Sequence, residues 1–270
     1  AMSEKASPSP NVPPGQPPVF EWRRRLRAAL VHLAASGALA AGVAALVFGV
    51  WYPWPYSVLA GGTGLFVLIT GVDITLGPLI TLAIFDRRKP TAELRRDLIV
   101  VVALQLAALA YGAMTMFEAR PVALALERDR FRLARAVDVV VEELPMAPPS
   151  LQRLSITGPV TVRTEPPRDA KAQAEAIDRA LAGTDLGLRP QFWRPWDAAA
   201  AQQAVSAGKP LKEALQRLGP GAAELRPYIE RTGRPVERLK ALPVLSRFAG
   251  GMILVDDRSG EVVGYLPVEF

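Results

Sequence analysis

The first part of the chain alternates long apolar runs with short charged segments. Residues 28–50 contain no Asp, Glu, Lys or Arg. At about 1.5 Å per residue they would form a helix of about 34 Å, enough to cross a hydrocarbon core of about 30 Å. Residues 59–85 and 98–117 form similar runs, in which Asp73 is the only charged residue. The pattern predicts three transmembrane helices within residues 23–119.

Residues 120–270 show shorter and mixed patterns. The runs 122–127 and 131–140 are typical of strands, and residues 168–182 place apolar side chains on one helical face. Two further β-rich runs flank a turn at residues 256–260, which predicts a hairpin. The predicted fold is a three-helix transmembrane bundle followed by an α+β domain.

Residues 1–22 differ from both parts because they are rich in proline. Such a segment cannot bury a core, so we expect a disordered tail. Docking to a partner is one role for it, and a solvated tail without a partner is the other.

Basic residues flank the apolar runs unevenly. They precede the first run and lie between the second and third, whereas residues 51–58 contain none. The positive-inside rule then places the N-terminus in the cytoplasm and the C-terminal domain outside. In a bacterium this means the inner membrane and a periplasmic domain. The residues with this role, which would also contact lipid headgroups, are Arg23, Arg24, Arg25, Arg87, Arg88 and Lys89.

The composition excludes several kinds of active site. The 270 residues include no cysteine and one histidine, His32. Disulfides, thiolate nucleophiles, His-based triads and multi-His zinc sites are therefore excluded. Basic and acidic residues are interleaved in residues 120–270, so no basic stripe points to nucleic acid. We predict no catalytic residue, no metal and no cofactor, and a partner in the lipid bilayer rather than an enzyme substrate.

Asp73 is the charged group that the second run must accommodate. It lies about 18 Å above Phe85, close to the middle of a core of about 30 Å. An acidic residue there costs about 2.5–3.5 kcal/mol on insertion scales, so it needs a partner or a function. Counted from the same side, Tyr111 lies about 20 Å up the third run and Gln105 about 11 Å. We therefore predict that Asp73 meets Tyr111, with Gln105 second, and that His32 is too low.

Gly77 and Pro78 follow Asp73 in the same run. Pro78 cannot donate to the carbonyl of Ile74, so a kink is expected there. Three interpretations of Asp73 remain open. It holds the bundle together as a neutral hydrogen-bonded group, it contacts the membrane helix of a partner, or it couples transport to protons.

Trp193 and Trp196 lie close together in a loop of the C-terminal domain. Aromatic side chains are enriched at protein interfaces, so the two form a candidate partner-binding patch. Buried anchors of the domain core are the competing interpretation.

The chain resembles the type IV pilin accessory protein family (TfpX/TfpZ). The resemblance extends over residues 23–270. The segments that carry it are residues 71–73, 76–82, 85, 89–90, 94–98, 104–112, 119–121, 129–131 and 264–268.

The resemblance implies a bacterial inner-membrane accessory, or chaperone, of the major type IV pilin. Such a protein would modulate the stability of the pilin or its delivery to the pilus assembly machinery. It implies no catalytic residue. Contact with the pilin through Asp73 or Tyr111 is our own hypothesis.

Two other functions compete with this one. A small proton-coupled transporter or channel subunit would depend on Asp73. A periplasmic enzyme held by a membrane anchor would need a cleft in the C-terminal domain. A pilin gene beside the gene of this protein would favour the accessory role.

Overall fold

The computed structural model describes residues 22–84 and 90–268. The first 21 residues of the predicted tail lie outside the described residues, as do Arg87, Arg88 and Lys89. The side chain of Arg24 is also outside them. The roles assigned to these residues stay predictions.

Three helices are long and apolar enough to cross a membrane. The first, α1, covers Trp22–Leu46 and continues through a π-helical turn at Val47–Trp51. A short helix α2 at Tyr56–Leu59 precedes the second long helix, α3, at Gly62–Ile84. The third long helix, α4, covers Thr91–Glu118.

The bounds of α4 differ from the hydrophobic pattern. The helix begins at Thr91, directly after Pro90, and therefore includes polar turns before its apolar part. A hydrophobic run shows which residues lie in lipid, but a helix continues until a residue such as proline interrupts its hydrogen bonds.

In the bundle, α3 packs against both α1 and α4. Large apolar side chains on the outward faces are exposed, among them Leu30, Leu68 and Leu104. This arrangement suits a lipid environment, where outward-facing apolar residues are expected.

The C-terminal domain, residues 120–268, contains a mixed sheet in the order β4-β3-β1-β2-β6-β7-β8, with β5 paired to β6. β1 is parallel to β3 and β2 to β6, and the other pairs are antiparallel. The strands are β1 Pro121–Leu126, β2 Phe131–Arg135, β3 Val160–Thr164, β4 Trp193–Pro195, β5 Lys209–Pro210, β6 Leu239–Leu245, β7 Gly251–Asp256 and β8 Val262–Leu266. The predicted fold class, with its C-terminal hairpin, is confirmed.

Four helices accompany the sheet. α5 and α6 each begin at an aspartate whose carboxylate accepts a backbone N–H of the first turn, as expected of an N-cap. The helices are α5 Ala170–Leu181, α6 Ala198–Ala207, α7 Leu211–Leu218 and α8 Arg226–Glu230.

The bundle and the C-terminal domain share one hydrophobic core. Val47, Leu59 and Met116 at the domain end of the bundle belong to the same buried cluster as Leu124 and Ile253 of the sheet. The chain passes from α4 into β1 through Ala119 and Arg120 alone. The domain is therefore fixed on the bundle and is not tethered by a linker.

The aromatic segment, residues 51–56, lies at this junction. Tyr52 is fully buried, and its hydroxyl donates to the carbonyl of Met116 at 2.8 Å. Burial raises the pKa of Tyr52 to about 12, although Arg135 and Arg120 act in the opposite direction. The segment packs against the C-terminal domain because β1 starts beside it.

Trp54 shows the same packing at the edge of the junction. Its ring stacks with Tyr228 at 6.2 Å between centroids and meets Tyr265 edge-on. The guanidinium of Arg231 lies 3.8 Å from the Trp54 ring. A cation over an aromatic face adds to the attachment of the domain.

Candidate functional site

A chain of hydrogen bonds joins the three long helices. His32 of α1 contacts the Thr81 hydroxyl of α3 through Nδ1 at 2.6 Å and the Gln105 amide of α4 through Nε2 at 2.6 Å. Gln105 Nε2 in turn donates to the backbone carbonyl of Asp73 at 3.2 Å. Because these groups come from three helices, the hydrogen bonds fix the rotation and the axial position of each helix relative to the other two.

The direction of each bond follows from the donors and acceptors available. The Asp73 carbonyl only accepts, so the amide nitrogen of Gln105 must face it and the amide oxygen must face His32. Nε2 of His32 is therefore the donor. In the neutral ring Nδ1 then accepts from the Thr81 hydroxyl.

The structure corrects the predicted partner of Asp73. The Tyr111 side chain is 76% exposed on the outer face of α4, so the predicted contact with Asp73 is wrong. At about 3.6 residues per turn, Tyr111 is rotated by about 120° from Gln105 around the helix. The prediction compared depths and ignored this rotation. Gln105 does reach Asp73, but at the backbone carbonyl and not at the carboxyl.

His32 and Thr81 are the functional residues that sequence reasoning missed. The height of His32 along α1 is too low for the Asp73 carboxyl, and within the described residues its two ring nitrogens bond Thr81 and Gln105 instead. Thr81 lies near the C-terminal end of α3, at the same height in the bundle as His32 in the first half of α1. Comparing the heights of all polar residues along the three predicted helices, and not only their heights relative to Asp73, identifies His32 and Thr81 as a pair.

Gly77 allows α3 and α4 to approach. A Cβ at Gly77 would lie 1.9 Å from Gln105 Nε2, closer than any real contact. Pro78 lies inside α3 as predicted. The structure therefore brings Gly77, Gln105 and the backbone of Asp73 together.

A groove of about 830 Å³ runs along the bundle beside this chain. α3 forms its floor, and α1 and α4, which both pack on α3, form its walls. The His32–Gln105 hydrogen bond joins the two walls. The walls are mainly apolar. The polar residues among those that line it are Arg27, His32, Ser36, Thr70, Asp73, Thr81 and Gln105.

Asp73 differs from the other polar groups of the groove. It is the central residue of α3, its side chain is half-buried, and it lines the groove. Among the residues that the structure describes, its carboxyl has no hydrogen-bond partner. The Asp73 carboxyl, which is costly in an apolar environment without a hydrogen bond, thus lines the open groove.

The basic residues at the far end of α1 also touch the protein. Arg25 Nη1 donates to the carbonyl of Ala83 at 3.3 Å, which ties α1 to the end of α3. The guanidinium of Arg23 lies 5.8 Å from the ring centre of Trp22. Their contact with lipid headgroups stays a prediction.

The tryptophans of the C-terminal domain are structural. Trp193 is 1% exposed, and its Nε1 donates to the carbonyl of Gly187 at 2.9 Å. Trp196 is half-buried and stacks on Phe131 with 6.1 Å between ring centroids. The proposed partner patch is wrong for Trp193, because β4 directs that side chain into the core.

Asp256 organises the end of the last hairpin. It is fully buried and receives Arg238 Nη2 at 2.7 Å and the backbone N–H of Arg258 and Ser259. Burial raises its pKa, but the backbone donors and Arg238 outweigh this and lower the pKa to about 2. The carboxylate is therefore structural.

Neither part of the described chain contains a group of three or more His, Asp or Glu side chains arranged to hold a metal.

Known proteins of one kind are similar to this chain. A family model described as fimbrial assembly protein FimB matches residues 20–61, which include α1 and the aromatic segment. Two fimbrial assembly proteins of Dichelobacter nodosus, of serogroups E1 and I, are each 29% identical to this chain over 228 residues. These alignments cover 84% of this chain and 88% of each relative.

A third fimbrial assembly protein of Dichelobacter nodosus, of serogroups C1 and C2, is 38% identical over 117 residues, or 89% of its length and 43% of this chain. The chain belongs to the fimbrial assembly protein family. The resemblance drawn from the sequence is thus confirmed for a family related to type IV pilus assembly. No solved structure matches this fimbrial assembly protein.

Proposed function

We propose that this fimbrial assembly protein is an inner-membrane accessory, or chaperone, of the major type IV pilin. It modulates the stability of the pilin or its delivery to the pilus assembly machinery. The observation that carries the proposal is the similarity along 88% of the length of two proteins named for fimbrial assembly. A bundle with an open groove supports it, because a pilin awaiting assembly is itself a membrane protein.

The proposed orientation follows from charge. Arg23, Arg25 and Arg27 lie at the end of α1 that is remote from the C-terminal domain. The positive-inside rule places this end in the cytoplasm and the domain in the periplasm. In that orientation the bundle and the domain are both accessible to a pilin before assembly.

The proposal assigns no catalytic role to the protein. The competing transporter or channel would need a polar path along the bundle through Asp73. At the domain end of the bundle that path meets the shared core, where Val47, Tyr52, Leu59 and Met116 are buried. The accessory role requires no such path.

A deletion strain tests the proposal. Loss of the gene should lower the amount of pilin or of surface pili, and the full chain should restore both. An immunoblot for pilin and electron microscopy of the cells measure these quantities. Normal pilin and normal pili in the deletion strain would refute the proposal, and an Asp73→Asn variant that abolished an ion flux would favour the transporter.

A further inference from the structure

We propose that the groove between α1 and α4 binds a single transmembrane helix of the pilin, through a hydrogen-bonding side chain that reaches Asp73. The inference rests on the proposed function, which supplies the partner. The shape of the groove and the state of Asp73 supply the site and its chemistry.

The groove has the dimensions of a helix-binding site. On α1 its lining residues extend from Arg27 to Ala40, which corresponds to about 20 Å along the helix axis. It is therefore a long trench parallel to the spans and not a compact pocket. A helix or a lipid chain is the kind of occupant that fits such a trench.

The polar groups of the groove distinguish these two occupants. His32, Thr81 and Gln105 satisfy each other, whereas the Asp73 carboxyl has no partner among the described residues. A carboxyl group in an apolar environment is costly without a hydrogen bond, and an acyl chain offers none. A helix with a hydroxyl, amide, amine or protonated carboxyl at this depth offers one. Asp73 therefore favours a helix.

The groove also fixes how the helix enters. Its lining residues end at Ala40, Thr70 and Leu109, and nearer the domain the helices belong to the shared core around Leu59 and Met116. Its open side lies between α1 and α4, where Leu39, Val102 and Leu106 are exposed. A membrane helix diffusing in the bilayer would enter sideways, without moving a polar domain across the membrane.

Site-specific photocrosslinking in living cells tests the site. p-Benzoylphenylalanine replaces Leu39 or Val102, which line the groove, and Leu33 or Leu104 serve as matched controls on the same two helices. After irradiation, an immunoblot detects pilin adducts of the full-length protein. We expect adducts from the two groove positions and little or none from the two controls.

Variants of Asp73 test the chemistry of the contact. Asp73→Leu should lower the yield of groove adducts by about fivefold, which corresponds to one interhelical hydrogen bond. Asp73→Asn retains a hydrogen-bonding side chain and should keep most of the adduct. The amount of each variant in the membrane is measured in parallel. If Asp73→Leu does not accumulate, the groove-to-control ratio in the wild-type chain still decides.

Three results would overturn the inference. They are equal pilin adducts from groove and control positions, adducts only with lipid, and adducts only with a second copy of this chain. If the deletion strain loses pilin and yet the groove gives no pilin adduct, the groove is wrong and the proposed function stands.

Discussion

Gly77 shows how one missing side chain sets the spacing of two helices. Its Cα faces the Gln105 amide so closely that a methyl group cannot be inserted without displacing it. The displaced amide would lose the Asp73 carbonyl and would leave His32 without its acceptor. The hydrogen-bond chain across the bundle therefore depends on a glycine that takes no part in it.

A Gly77→Ala variant should be less stable than wild type by about 1–3 kcal/mol, since overpacking and a lost interhelical bond both act. Gly71→Ala is the matched control in the same helix, because a Cβ there meets nothing within 4 Å. Thermal unfolding of the full chain in nanodiscs measures both. Equal stability of the two variants would contradict the role of Gly77.

Asp256 predicts how the C-terminal domain responds to acid. Its pKa of about 2 lies below its ordinary value of 3.8, so folding favours the ionised form. The stabilisation is complete above about pH 4 and is lost as the pH falls towards 2. The ion pairs with Arg238 and Arg234 should weaken over the same range.

An Asp256→Asn variant should lose about 2–4 kcal/mol of stability at pH 7, because the partly exposed Arg238 and Arg234 lose the buried carboxylate that they pair with. The difference from wild type should narrow below pH 4. Tryptophan fluorescence during urea unfolding measures it, with Asp178→Asn on the exposed face of α5 as control. A constant difference down to pH 2 would mean that the contribution of Asp256 does not depend on its negative charge.

At the residue scale, the sequence identified groups by type and depth but not by direction. Asp73, Gly77 and Pro78 were recognised because a carboxylate and a Gly-Pro step are unusual in an apolar run. Tyr111 was misassigned because depth alone says nothing about rotation around α4. His32 was set aside because its partners, Thr81 and Gln105, were not considered together.

At the scale of elements, Tyr52 joins the first loop to the end of α4. Its hydroxyl donates to the Met116 carbonyl, and its ring leaves no room for a Cβ at Gly62. Tyr56, the first residue of α2, is half-buried at the same junction, and burial raises its pKa to about 12. No hydrogen bond of the Tyr56 hydroxyl is found within the described residues.

The two tyrosines therefore form a matched pair. Tyr52→Phe should lower stability by about 0.5–1.5 kcal/mol, the net contribution of one buried hydrogen bond. Tyr56→Phe should change it little, since no bond is lost. Thermal unfolding of the two full-length variants provides the comparison, and an equal loss in both would show that the Met116 contact contributes nothing specific.

Sequence patterns predicted secondary structure best where a local signal is strong. Long apolar runs gave three spans, and the turn at residues 256–260 gave the final hairpin. The parallel pairs β1–β3 and β2–β6 join residues far apart in the chain, and no local pattern encodes them.

At the scale of the whole molecule, the shared core makes the bundle and the C-terminal domain one unit. The sequence predicted their order but treated residue 120 as a boundary between independent parts. The buried cluster that runs from Val47 and Leu59 to Leu124 and Ile253 crosses that boundary. Contacts between segments far apart in the sequence make the bundle and the domain one unit, and a hydropathy pattern does not reveal such contacts.

A fragment that ends at residue 120 should therefore be unstable. It would expose Tyr52 and Leu59, which are fully buried in the intact chain. We expect faster proteolysis and lower accumulation than for the full chain, measured by immunoblot after a protein-synthesis block. A fragment as persistent as the intact protein would show that the bundle needs no cover from the domain.

The same unity determines how the proposed function should be tested. Truncation would disturb the groove and the domain together, so point variants of the full chain are preferable. Gly77→Ala displaces Gln105 without removing any buried surface, and Gly71→Ala leaves the bundle unchanged. Comparing the two variants therefore shows whether function requires the helix contacts of the bundle or only the presence of the full-length protein.

Pulse-chase labelling of pilin tests whether this protein acts on pilin. The deletion strain is compared with the same strain complemented with the wild-type protein, with Gly71→Ala or with Gly77→Ala. We predict that newly made pilin disappears faster, or enters pili more slowly, without the protein, and that wild type and Gly71→Ala restore the normal course. Gly77→Ala should restore it only in part. Identical pilin lifetimes and incorporation rates in the deletion and wild-type strains would contradict the proposed role in pilus assembly.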